Sequence, residues 1–264
     1  MEQRFQFDEI ATLYEAARPG YPDALIEDVV SHADLKLNDR ILEVGCGTGQ
    51  ATKSFAGQGF PILAIEPGPE LLRVARRSLA GFSNVAFLET TFEAYPARAA
   101  FRLIVAAQSW HWVSPETRFH KAAKALSPRG SLAVFGHVPV GLPAALLARF
   151  KDIYLRRTGR WGRPPEAWYL PDGPFKGWFD ESGLFGPVEH RNYPWQWRHT
   201  TASYLDFLRT RSDLRMLEPG KRDEMLSEIA AAVEDHGGAF AVDTETHLYM
   251  ARRLDEAAVS AGLA

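Results

Sequence analysis

From Ile41 to Gly49 the chain reads Ile-Leu-Glu-Val-Gly-Cys-Gly-Thr-Gly, an apolar run that leads directly into three alternate glycines. Without a Cβ, glycine backbone can turn sharply, take positive φ and let a ligand approach to van der Waals contact. Glu66 stands twenty-three residues beyond Glu43, at the end of a second apolar run, Ile62-Leu63-Ala64-Ile65. An ionised carboxylate is an acceptor with two oxygens and can take both hydroxyl hydrogens of a ribose. Apolar run, glycine loop, helix, apolar run and acid, in that order, point to nucleoside binding. A dinucleotide loop would place its third glycine three residues after the second. Gln50 occupies that position, so the loop suits a ligand without a diphosphate and a nicotinamide oxidoreductase is disfavoured.

A second chemistry-bearing group, Gln108-Ser109-Trp110-His111-Trp112, ends the apolar run Leu103–Ala107. An imidazole titrating near 6.5 can take a proton around neutrality. His111 is therefore the candidate base, although the same ring could instead hold the next loop. Trp110 and Trp112 are expected to wall a pocket. Arg156, Arg157, Arg160 and Arg163 form a basic cluster that could receive a carboxylate. Arginines on a helix face more commonly form a solvated surface. The pattern contains no HExxH, serial-cysteine or paired-carboxylate signal, so no metal site is expected.

These groups need a scaffold that brings run ends together. Five short apolar runs, Ile41–Val44, Ile62–Ile65, Val85–Leu88, Leu103–Ala107 and Leu132–Phe135, read as parallel strands buried on both faces. Between them, helices are expected over Ala51–Gly57, Glu70–Leu79 and Pro115–Leu126, with an earlier one over Asp23–Ser31. Ala239–Leu254 is expected as a last strand, partnered by Pro187–Arg198 as an antiparallel pair at the sheet edge. Helices are also expected over Ala202–Leu214 and Arg222–Glu234. The alternation predicts a doubly wound α/β sheet, which binds ligands beyond the carboxyl ends of its strands. The expected organisation is a single domain. Its core covers about 23–140, 185–200 and 239–254, and a helical cap is formed by insertions at about 141–184 and 201–238. Trp161, Trp168, Trp178, Trp195 and Trp197 fall in or beside that cap, where they could supply an aromatic wall for the site, and at least three of them are expected in the core.

Bulk properties narrow the partners. The 264 residues carry a formal net charge of -3, which gives no general attraction to nucleic acid or an anionic membrane. A single cysteine, Cys46, excludes an internal disulfide. Met1–Asp8 carries charges and no apolar core, unlike a signal peptide, and no apolar run is long enough to span a bilayer. A cytoplasmic location is expected. Oligomeric state is not read from the sequence.

The segment Glu43-Val44-Gly45-Cys46-Gly47-Thr48-Gly49 with Glu66 resembles the first two motifs of class I S-adenosylmethionine-dependent methyltransferases. The resemblance implies a Rossmann-like, mostly parallel seven-stranded sheet with an antiparallel edge strand, and S-adenosylmethionine as cofactor. It implies that Gly45, Cys46, Gly47 and Gly49 pass the methionine and sulfonium part, that Glu43 organises the loop, and that Glu66 holds the ribose. Glu89–Pro96 resembles the segment flanking adenine. Phe92 would lie on the ring face, and Thr91 stands where many relatives carry an acid. Tyr14–Pro22 together with Gln108–Trp112 resembles the small-molecule branch related to trans-aconitate methyltransferases, a likeness specific from about Phe7 to Phe135. There Tyr14 would lie near the site, Arg18 near the donor carboxylate and Gln108 near its amine. The implied function is methyl transfer to a small-molecule acceptor by in-line displacement. The alternative is a donor-binding regulator or partner subunit without turnover.

Overall fold

The computed structural model describes residues 8–255. Of the charged N-terminal stretch Met1–Asp8, all but Asp8 lie outside the described residues. Seven strands form one sheet in the order β3-β2-β1-β4-β5-β7-β6. They are β1 (Ile41–Val44), β2 (Ile62–Glu66), β3 (Val85–Glu89), β4 (Phe101–Ala107), β5 (Leu126–Gly141), β6 (Glu189–Thr200) and β7 (Ala239–Arg252). The first five pair in parallel; β7 runs antiparallel to both β5 and β6 and lies one strand in from the edge.

The central strands are mostly apolar because helices cover both their faces, with Glu43 and Glu66 the acidic exceptions in β1 and β2. All four residues of β1 are buried, and Ile41 pairs with Ile62 on one side and Leu103 on the other. Helices α1 (Ala11–Ala17) and α2 (Asp23–Ala33) precede the sheet; α3 (Gln50–Gly57), α4 (Pro69–Ser78) and α5 (Arg118–Ala125) lie within the β1–β5 alternation. Phe55 of α3 and Val74 of α4 are fully buried, each such side chain contributing about 1.5–3 kcal/mol. Helix α4 opens with Pro69 in its first turn, and its free Glu70 and Leu71 N–H groups donate to the carboxylate of Asp8 at 2.6 and 2.9 Å. This cap comes from far away in sequence, and it helps to hold the N-terminal segment, with α1, against α4.

The segment between β5 and β6 carries α6 (Ala144–Thr158) and α7 (Phe175–Ser182), and that between β6 and β7 carries α8 (Thr201–Arg209), α9 (Ser212–Arg215) and α10 (Pro219–Asp235). The expected single helix over Ala202–Leu214 is two helices. Thr210 turns its hydroxyl back onto the Phe207 carbonyl at 2.6 Å, and the Arg18 side chain takes the Thr210 carbonyl at 3.1 Å. A third hydrophobic cluster, centred on Phe150, Met225 and Ile229, joins α6, α8 and α10.

Fewer than three of the five cap-region tryptophans join the core: none is fully buried, Trp178 and Trp197 pack partly buried against hydrophobic clusters, and Trp161 and Trp168 are 39% and 47% exposed. The arginine cluster is largely an ion-paired face. Arg156 meets Asp152 and Glu228, Arg157 meets Glu224 and Glu228, and Arg163 meets Asp172. No described helix is long and apolar enough to cross a membrane.

Candidate functional site

Strand order reverses beside β1, and a cleft of about 440 Å³ opens there, above the carboxyl ends of β1, β2 and β4. Val44 runs straight into the glycine loop, where the N–H groups of Gly45 and Cys46 both donate to the Ile65 carbonyl at 2.9 and 3.1 Å. Gly45, Gly47 and Gly49 take φ of +67°, +56° and +95°, conformations that L side chains resist. A Cβ on Gly45 would lie 2.7 Å from Ser109, whose hydroxyl donates to the Val44 carbonyl at 2.5 Å. Space above Gly47 is open, so its bare backbone faces the cleft.

Glu43 and Glu66 brace this loop from two sides. Glu43 is buried and accepts the Thr52 hydroxyl at 2.6 Å, tying β1 to α3; burial raises its carboxyl to about 8. Glu66 accepts the Gly47 N–H through one oxygen and the Gly68 N–H through the other, each at 3.0 Å. Burial raises its carboxyl to about 7, opposed by those two backbone donors. Each oxygen keeps a second acceptor direction, so a vicinal diol fits the carboxylate without displacing either backbone bond.

Cys46 contributes backbone to the cleft rather than reactive sulfur: its thiol is buried and burial pushes its pKa up. Thr91 lines the cleft and accepts the Ala94 N–H at 3.1 Å, which fixes the turn after β3. Phe92 both lines the cleft and belongs to the core, 5.8 Å from the Trp110 ring.

The N-terminal segment closes the other wall. Tyr14, Arg18 and Tyr21 line the cleft, and α1 contacts both α4 and α8. Arg18 lies over the rings of Tyr14 and Phe207 and donates Nε and one terminal nitrogen to Thr210. Its other terminal nitrogen, Nη1, has no hydrogen-bond partner among the described residues. Behind this strap, His137 bonds the Gly20 carbonyl at 3.1 Å through Nε2 and Thr246 at 2.8 Å through Nδ1. A carbonyl only accepts, so Nε2 carries the proton and Nδ1 accepts the Thr246 hydroxyl. Thr246 in turn accepts the Trp195 indole N–H at 2.9 Å. Burial drives His137 down to about 3, leaving it neutral, and Tyr21 stacks on it at 4.5 Å.

Gln108 ends β4 in the left-handed region, with φ of +52°, and its N–H donates to the Phe135 carbonyl at 2.8 Å. Its Cγ and the ring of Tyr169 lie within 3 Å of where a Cβ on Gly136 would stand. Only glycine leaves room there. Tyr169 is buried with an unpartnered hydroxyl, and burial raises its pKa further. His111 and Trp112 line the same cleft. The ring of His111 lies 6.3 Å from that of Tyr169; its Nδ1 has no partner, and burial lowers it to about 4. Two orphaned polar atoms therefore sit in the walls of one cleft, and buried polar groups are ordinarily satisfied.

Two expected site residues do not reach the cleft. Gly49 lies at the start of α3 and packs under α4, where a Cβ would stand 2.7 Å from Leu79; it serves helix packing. Trp110 is fully buried in the core, because the 3-10 turn Trp110–Trp112 sends it inward while His111 and Trp112 reach the cleft. Conversely, Tyr21, Glu166, Tyr169 and Asp213 line the cleft without having been foreseen, and of the cap tryptophans Trp168 reaches it. Among the described residues no cluster of three or more His, Cys, Asp or Glu could hold a metal.

Residues 41–130 match the protein family described as "Methyltransferase domain". An uncharacterized methyltransferase of Mycobacterium tuberculosis is 32% identical over 133 residues, covering 50% of this chain and 52% of that protein. The chain thus spans about half the length of the curated relatives it matches. A protein of Anaeromyxobacter dehalogenans, named as a type II methyltransferase, superposes with a TM-score of 0.63 at 20% identity, covering 89% of this chain and 97% of that one. Phosphoethanolamine N-methyltransferase 2 of Haemonchus contortus, in complex with S-adenosyl-L-methionine, gives a TM-score of 0.54 at 14% identity, covering 94% and 57%. These structural likenesses show the fold, the Rossmann-like sheet of methyltransferases.

Proposed function

We propose that this chain is a class I S-adenosylmethionine-dependent methyltransferase acting on a small molecule. The observation that carries the reading is Glu66, held by two backbone N–H groups at the tip of β2 beside the open backbone of Gly47. Its free acceptor directions would take the ribose hydroxyls. Gly45, Cys46 and Gly47 would let the methionine part lie against bare backbone, Thr91 and Phe92 would flank adenine, and Tyr14, Arg18 and Gln108 would meet the amino-acid end. The match over residues 41–130 supports this assignment, because it spans the loop and Glu66.

S-adenosylmethionine, when bound, supplies an electrophilic methyl on a sulfonium. The chain's own part would be to hold the acceptor nucleophile in line with that methyl, with His111 or water taking the proton the acceptor gives up. Alignment and exclusion of water are the protein's main contributions. Trp112 and Trp168 wall the cleft with apolar surface, which suits a positive charge that disperses in the transition state. His111 is neutral at physiological pH, so its unpartnered nitrogen can hydrogen-bond the acceptor or take its proton. A group lowered to about 4 is a weak base, so its main effect is orientation. The Tyr169 hydroxyl stays protonated and offers the acceptor a donor.

The test is turnover. Methyl-labelled S-adenosylmethionine is incubated with a panel of small acids, phenols and amines, and released S-adenosylhomocysteine is measured. Release with one acceptor class supports the reading. Tight donor binding with silence across the panel would favour a regulator without turnover.

A further inference from the structure

Past Gln108 lies a second and larger chamber, of about 860 Å³, within the range of small-molecule sites. The two cavities share Arg18, Pro19, Gln108, Glu166, Asp213 and Met216, so they adjoin beside the end of β4. The chamber is bounded by β5, β7, α6, α8 and the start of α10. Aromatic rings form its walls. Phe150 stacks on Tyr204 at 5.5 Å, Tyr154 meets Trp161 edge-on at 5.5 Å, and Trp197 meets Phe207 at 4.8 Å.

Most charges on this lining are already answered. Arg211 is buried between Glu166 and Asp213, a group with one net negative charge, while Arg157 is held by Glu224 and Glu228, and Arg163 by Asp172. Arg160 and Lys221 are exposed lining residues whose side chains have no hydrogen-bond or ion-pair partner among the described residues. Glu218 also lines the chamber, which leaves these three groups with a surplus of one positive charge. An independent observation points to a ligand: His199 is 3% exposed and lines the chamber, and its Nε2 has no partner.

We propose that this chamber seats the body of the methyl acceptor, an aromatic acid, whose reacting end passes Gln108 into the first cleft. Arg160 and Lys221 line this chamber and not the first cleft, whereas Gln108 lines both. An acid seated on the rings with its carboxylate at those two cations therefore turns its opposite end towards Gln108 and the donor. The carboxylate is the handle and not the atom methylated. This inference rests on the donor reading of the first cleft.

The experiment measures binding of 2-naphthoate and of its uncharged counterpart, 2-naphthamide, by calorimetry, with and without S-adenosylhomocysteine. The wild-type protein should prefer the acid by about five- to tenfold, as two partly exposed charges allow. The double variant Arg160→Gln/Lys221→Gln should lose that preference while binding 2-naphthamide and S-adenosylhomocysteine as before. Equal binding of acid and amide to the wild type, failure of both to bind, or a preference that survives the double variant would overturn the proposal. Failure of S-adenosylhomocysteine to bind, with the naphthoate preference intact, would instead strike the donor reading and leave the anion-binding chamber standing.

Discussion

The two cavities flanking Gln108 are built in different ways. The first takes its polar groups from consecutive residues at strand ends: Glu43 and Gly45–Gly47 after β1, Glu66 after β2, Thr91 and Phe92 after β3. Its strand-end carboxylates, Glu43 and Glu66, are held by backbone N–H groups and one threonine, so their positions are set by the sheet itself. The second takes its walls from helices inserted between later strands and balances its charges by ion pairs between side chains. A site of the first kind can recognise one invariant ligand. A site of the second kind can be re-lined by substitution without disturbing the sheet.

That contrast can be broken most severely at Gly47. Gly47→Val should reduce S-adenosylhomocysteine affinity by at least about 100-fold, since a branched side chain would enter the cleft. The strained positive φ should cost about 1–3 kcal/mol of stability. Calorimetry and thermal unfolding check both, and unchanged affinity would show the ligand elsewhere. Next is Glu66→Ala, which should weaken binding by about 1.5–3 kcal/mol through loss of two charge-assisted hydrogen bonds. A change below about 0.5 kcal/mol would remove Glu66 from the site.

His137→Ala tests the latch behind the N-terminal strap. Losing its bonds to Gly20 and Thr246 should destabilise the protein by about 1–3 kcal/mol and weaken donor binding, whereas a surface histidine would do neither. The pH dependence gives a gentler probe. Glu43 and Glu66 titrate at about 8 and about 7 in the folded chain, above the ordinary carboxyl value. Their stabilising contribution is therefore complete below the ordinary value and lost as pH rises through about 7 and about 8. Ribose hydroxyls favour ionised Glu66, so S-adenosylhomocysteine affinity should rise between pH 6 and 8 and level off above it. In Glu66→Gln that rise should vanish. The smallest effect belongs to the ion-paired face of the second region: Arg156→Ala should leave thermal unfolding essentially unchanged, because Arg156 and Asp152 are solvent-exposed.

The same contrast explains what could be read from the sequence. The glycine loop, Glu66 and the five parallel strands are contiguous patterns and stand in the expected order, although β5 runs well beyond the expected Leu132–Phe135 at both ends, from Leu126 to Gly141. The β6–β7 pair, whose long alternating segments announce strands, stands where expected as well. Gly49 carried the right conformation but a different duty, since its contact with Leu79 depends on how α4 lies across α3. Trp110, His111 and Trp112 are neighbours whose directions are set by a single 3-10 turn, which composition does not specify. Tyr169 was invisible because it meets Gly136 and Gln108 only after the chain returns from α6. A glycine inside an otherwise bulky strand, as Gly136 is in β5, was the available signal of such an approach.

The central claim is that a nucleoside lies across the Gly45–Gly47 backbone with its ribose on Glu66. The most direct test is a crystal structure of the protein with S-adenosylhomocysteine. The account requires both ribose hydroxyl oxygens within about 2.5–3.0 Å of the Glu66 carboxylate, with the Gly47 and Gly68 N–H bonds retained. A ribose bound away from Glu66, or that cleft without ligand at saturating concentration, would contradict it.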